Sequence, residues 1–343
     1  MKTGRTSGYL FLMLTLLLLL ALLANLSLGS VHIPLKDTLG ALTGTGSARE
    51  SWSYIIWNYR LPKALTAILV GGGLSLSGLL MQTLFRNPLA GPFVLGVSSG
   101  ASLGAALLIM GASLIGGVGS GLLGSDLSLA IASGLGSLLV LVTVLLVSTR
   151  LKDAMALLIV GLMFGSITAA LVTVLSYFSP AEQLQQYIFW SYGSVGNLSW
   201  AQVGILGIFC LLGFAIGVFL LKALNALLLG ENYASSLGID LNRTRNGIIL
   251  ATGLLAGGIT AFAGPIAFIG LAVPHLTRQL MGSQDHRVLL PGVLLYGGIL
   301  MLICDMIAQI PFSAYVLPIN AITSLVGAPV VIWLLVRRKR MLF

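Results

Sequence analysis

Long stretches without a single charge constrain this chain more than any other feature. Phe11 to Leu28 carries none, and neither does Leu127 to Ser148. Each comes close to the ~20 apolar residues that an α-helix needs to cross a hydrocarbon core roughly 30 Å thick. A backbone in hydrocarbon must satisfy its own polar groups, so such runs are read as transmembrane helices. Composition agrees, with 57% hydrophobic and 8% charged residues against about 25% charged in a soluble domain. So few charges cannot cover a water-soluble surface.

Hydropathy predicts an all-α membrane protein of ten helices, near 9–28, 61–83, 93–112, 127–149, 155–178, 200–222, 246–263, 266–281, 288–310 and 316–336. The first is read as retained rather than as a cleaved signal peptide: the rest of the chain is equally apolar, and no small-x-small cleavage site follows. With the N-terminus in the cytoplasm, fourteen of the eighteen Lys and Arg fall in cytoplasmic segments. The other four, Lys36, Arg49, Arg60 and Lys63, lie in or beside the first external loop. That bias follows the positive-inside rule and puts both termini in the cytoplasm. It also accounts for the net charge of +9 without nucleic acid, because the cations are spread over many short loops. Two aromatic groups, Trp52 to Tyr59 and Tyr187 to Trp200, precede the second and sixth helices on the external side. They suit an interfacial belt or contact with a bulky substrate or external partner.

Forty-three glycines are nearly double the usual share of about 7%. Pairs such as Gly100/Gly104, Gly213/Gly217 and Gly253/Gly257 have the spacing that brings helices close in lipid. Cys210 and Cys304 fall in apolar spans and read as reduced, buried thiols. The second helix breaks at Arg86-Asn87-Pro88-Leu89-Ala90 and the seventh at Gly264-Pro265. These breaks occupy corresponding places in two halves, about 1–199 and 200–343, of a single permease domain spanning 1–343. Five spans per half make the halves inverted, an arrangement that places a permeation path at the repeat interface.

Chemistry is sparse. Nine acidic residues and three histidines show no metal-ligand spacing, no catalytic constellation and no phosphate-cradling glycine loop ending in Lys-Ser or Lys-Thr. The chain is therefore read as carrying no catalytic residue and no metal or cofactor of its own, and if transport is driven by ATP a separate subunit must bind it. Asp305 is the one acid placed deep in a span, either as a functional group or paired with a neighbouring helix. An ion-coupled secondary carrier is the alternative transport class, and an intramembrane enzyme a third reading.

Several segments together resemble the FecCD-type permease subunits of bacterial ABC importers for iron-siderophore complexes, haem and vitamin B12. They begin with Arg60-Leu61-Pro62-Lys63, Gly78, Gln82, Asn87-Pro88-Leu89-Ala90 and Leu95-Gly96-Val97-Ser98-Ser99-Gly100-Ala101. They continue with Phe268-Ile269-Gly270-Leu271-Ala272-Val273-Pro274-His275, Arg278, Asp285-His286-Arg287, Leu290-Pro291, Leu317-Pro318 and Gly327-Ala328-Pro329. The resemblance implies a type II importer permease in the bacterial inner membrane, in a homodimer or a heterodimer with a similar permease. It further implies two cytoplasmic ABC ATPase subunits that bind ATP and Mg, and a periplasmic or lipid-anchored substrate-binding protein. Arg60 and Lys63 match cations that dock that protein's glutamates, and Gln309 stands where a further docking arginine is expected. Asn87 and Leu89 match a cytoplasmic gate, with a second gate expected at Ala154 and Met155. The loop 223–245 looks like the ATPase coupling element, with Gly230, Glu231, Ala234, Leu237 and Gly238 as its key positions.

Overall fold

The computed structural model describes residues 4–29, 31–111, 126–151, 154–310 and 315–336. Among them the secondary structure is helical throughout. In chain order the helices are α1 (Gly4–Ser27), α2 (Leu35–Thr43), α3 (Glu50–Leu84), α4 (Val97–Ile109), α5 (Asp126–Arg150), α6 (Ala154–Phe178) and α7 (Ala181–Ser191). They continue as α8 (Trp200–Phe219), α9 (Leu221–Leu227), α10 (Glu231–Ser236), α11 (Leu241–Ala263), α12 (Ile269–Met281), α13 (His286–Ala308) and α14 (Ile319–Val336). Each of the ten expected spans has a helix. Seven are long and apolar enough to cross a membrane, whereas Val97–Ile109 and Ile319–Trp333 are shorter apolar helices and α12 is also short, at 13 residues.

The residues fall into two compact units, and the division passes through α3 and α8. The first holds the residues up to Leu76, Ser194–Ile208 and those from Ala267 onward. Its centre is α13, flanked by α1, α12 and α14. Leu14 of α1 packs with Met281 and Ile299. α3 runs antiparallel to α13, and at Gly71 and Gly297 the two backbones touch: a Cβ on either glycine would fall on the other's carbonyl oxygen.

The second unit holds Ser77–Gly193 and Phe209–Ile266. Its core is the antiparallel pair α4 and α5, again joined through glycine, with Gly100 against Gly136 and Gly104 against Ala132. α11 lies along α5 on another side, Gly253 meeting Leu141 and Gly257 meeting Ser137. Hydrophobic burial drives no association between helices in lipid, so these close backbone contacts are what dispersion can use.

The boundaries differ from expectation in two instructive places. α3 begins at Glu50, not at 61, and contains a π turn over Ile56–Arg60. Residues 50–60 are too aromatic and polar for a hydropathy window. They are helical because Ile56, with Ile55 and Trp52, packs on Ile33 and on Ala41 of α2. The eighth span starts at Ile269 rather than 266. Gly264 and Phe268 carry positive φ angles of 71° and 67°, and Pro265 supplies no N–H, so the helix cannot start sooner.

Candidate functional site

The residues singled out from sequence gather in three places, each within one unit.

In the first unit, the π turn in α3 widens one turn of helix and carries Arg60, and Lys63 follows on the next turn. Arg60 is only 9% exposed. Its Nη1 donates to the carbonyl oxygens of Leu26 (2.6 Å) and Ser27 (3.0 Å), and its Nη2 to that of Val31. The last carbonyls of a helix have no partner inside it and form the negative end of its dipole, so Arg60 caps α1. Lys63 Nζ lies 3.1 Å from Asp305 Oδ1. Asp305 Oδ2 accepts from Asn25 Nδ2 at 2.9 Å and from Gln309 Nε2 at 2.7 Å. Gly29 closes the group, since a Cβ there would stand 2.8 Å from Arg60 Nη2 and 3.1 Å from Gln309 Oε1.

Arg60, Lys63 and Gln309 therefore share one cluster, and both cations are engaged inside the protein. Of the two readings of Asp305 from sequence, the structure shows the paired one, with Lys63, Gln309 and Asn25 as its partners; Asn25 was not singled out. The available signal was a lone acid and a lone amide in otherwise apolar runs, because such groups in a bundle pair with one another.

The second place is the turn after α3. The helix ends at Leu84 and Arg86 takes a positive φ of 46°. Asn87 N donates to Gln82 O at 3.2 Å, and Asn87 Oδ1 accepts from Leu89 N at 2.9 Å. The side chain of Asn87 thus builds the turn, leaving Leu89 38% exposed at its tip. Met155 is exposed on the first turn of α6. Ala154 opens that helix, and its side chain lies outside the described residues.

The third place is α10, the expected coupling segment. Gly230 precedes it at φ 109° and Gly238 follows it at φ 79°, conformations that favour glycine at both ends. Glu231 occupies its first turn, and Ala234 is fully buried against its neighbours. Leu229, Tyr233 and Leu237 are all half-exposed or more, so α10 and the residues flanking it carry uncovered apolar side chains. Arg86 Nη1 comes within 3.8 Å of where a Cβ on Gly230 would be. The Asn87 turn and the start of α10 are therefore neighbours. Among the described residues, no three His, Cys, Asp or Glu side chains are grouped to hold a metal ion.

The profile of the FecCD transport family matches residues 17–337. The vitamin B12 import system permease protein BtuC of Klebsiella pneumoniae is 39% identical over 327 residues, covering 95% of this chain and 93% of that protein. The protein of the same name from Salmonella typhi is 40% identical over 331 residues, covering 96% and 95%. A solved inward-facing structure of a transporter assigned to the metal-chelate ABC type superposes with a TM-score of 0.84 at 31% identity, covering 96% of this chain and 99% of that one. PsaBC from Streptococcus pneumoniae, solved with a Fab, shares the fold at a TM-score of 0.55 and 13% identity, over 88% of this chain and 95% of its own.

Proposed function

Because the chain belongs to the FecCD transport family, as a multi-pass permease of an ABC transporter, we infer that it imports a corrinoid or a related metal chelate. Near end-to-end identity of about 40% with vitamin B12 import permeases carries this reading. It supports vitamin B12 as the first substrate to test, before haem and ferric siderophores.

The permease works as a dimer in the bacterial inner membrane with both termini in the cytoplasm. Two ABC ATPases bind ATP and Mg there and seat α10 in a groove, and the uncovered apolar side chains of Leu229, Tyr233 and Leu237 support that contact. The Asn87 turn, with Leu89 at its tip, forms one cytoplasmic gate, and Ala154 with Met155 the second. An external substrate-binding protein docks at the end of the first unit that carries Arg60, Lys63 and Gln309. Opposite charges across such an interface speed encounter and set register.

The test is ATP-dependent uptake of radiolabelled cyanocobalamin into proteoliposomes holding permease, ATPase and binding protein, with haem and a ferric siderophore as competitors. Uptake that ignores cyanocobalamin but is driven by one of the other two would overturn the ordering. Uptake that survives without ATP and collapses with an ion gradient would overturn the mechanism.

A further inference from the structure

The two basic residues at this end of α3 are held in different ways. Arg60 is bonded to three backbone carbonyl oxygens and cannot leave without undoing the end of α1. The ionic partner the structure provides for Lys63 is a single carboxylate, Asp305, at 3.1 Å. The lysine side chain is 18% exposed while that of Asp305 is 3% exposed. A lysine ammonium is a strongly hydrated point charge on a flexible stem, and such stems reach toward water where water is near.

Asp305 is equipped to lose the lysine. Its other oxygen accepts from two neutral amides, Asn25 Nδ2 on α1 and Gln309 Nε2 just after α13. A buried carboxylate stripped of its only partner is costly, whereas one that keeps two hydrogen bonds is much less so.

We propose that Lys63 and Asp305 form a latch that an acidic protein surface opens. A partner carboxylate arriving at this end takes Lys63 from Asp305, and Asp305 falls back on Asn25 and Gln309. One ion pair is exchanged for another, and the two amide hydrogen bonds that Asp305 keeps lower the cost of leaving it without its cation. Because Asp305 joins α1, α3 and α13, the arrival of the partner changes a contact shared by three helices. This inference rests on the reading that a binding protein docks at Arg60 and Lys63. Its partner is defined by chemistry, as a protein face presenting carboxylates.

The test uses the complete permease–ATPase complex in nanodiscs, labelled with a membrane-impermeant amine-acetylating reagent and read by mass spectrometry at Lys63 and at the exposed Lys36. In the wild type, Lys63 should react roughly tenfold or more slowly than Lys36, the factor that about 1.4 kcal/mol of pairing provides. Asp305→Asn should bring its rate near that of Lys36 and tighten binding of the cognate substrate-binding protein. Adding Lys63→Gln should abolish the tightening, a dependence that a merely structural role for Asp305 does not produce. Fast labelling of Lys63 in the wild type, or continued protection in Asp305→Asn, overturns the latch, and the wild-type comparison stands even if that variant fails to assemble. Faster labelling of Lys63 without tighter binding overturns the partner's part in it. The docking reading fails separately, if Lys63→Gln and Arg60→Gln both leave binding of that protein unchanged.

Discussion

Asp305 shows how much one carboxylate organises where charges are scarce. Asp305→Ala removes the ion pair to Lys63 and both amide hydrogen bonds at once, whereas Asn25→Ala removes only one of those hydrogen bonds, and a hydrogen bond between membrane helices averages about 0.6 kcal/mol and reaches about 1.7. Asp305→Ala should therefore destabilise the detergent-solubilised protein severalfold more than Asn25→Ala, measured by thermal unfolding under one set of conditions. Comparable effects would show that Lys63 finds another partner. Gly29 is a second such residue. Alanine there would press on Arg60 and Gln309, so Gly29→Ala should lower the unfolding temperature, while Gly44→Ala should depend on its φ of 74° alone, because a Cβ there meets nothing. The basic pair was legible in the sequence as rare charge, but its inward orientation was not, because hydropathy says nothing about which helix lies opposite.

At the scale of elements, glycine decides where helices meet. Gly71 and Gly297 lie backbone to backbone, so Gly297→Leu must force α3 and α13 apart. Overpacking typically costs about 1–3 kcal/mol, and contact with backbone puts this site at the upper end. The yield of monodisperse protein on size-exclusion chromatography should fall sharply, and a normal yield would show that the helices can separate. Of the glycines picked out by spacing, Gly100, Gly104, Gly213, Gly253 and Gly257 do stand at close approaches, but their partners include Leu141, Leu255 and Ser137. The spacing identified the contact surface, while the opposing residue came from another part of the chain. α10 is the other informative element. Ala234 is fully buried, so Ala234→Trp should displace the helix and reduce substrate transported per ATP hydrolysed, with ATPase activity retained. An unchanged ratio would remove α10 from the coupling role. Its two glycines marked its ends in the sequence because each sits at a positive φ.

At the scale of the whole molecule, topology follows from charge. Cysteines introduced in a background lacking Cys210 and Cys304 should react with an impermeant thiol reagent from the periplasmic side at position 36 and from the cytoplasmic side at position 232. The reverse pattern would invert the orientation. The sequence by itself determined that the chain is a membrane-spanning bundle and roughly where its helices run, because apolar length is a local property. It missed the amphipathic helices α2 and α7, and it began the second helix at 61 although α3 starts at Glu50, because those segments are stabilised by packing rather than by apolar length. Only the tertiary structure decided that Arg60 caps α1, that Lys63 is held by Asp305, and that the Asn87 turn adjoins α10. Each joins residues far apart in the chain, and the backbone approach that brings them within bonding distance depends on how whole helices pack.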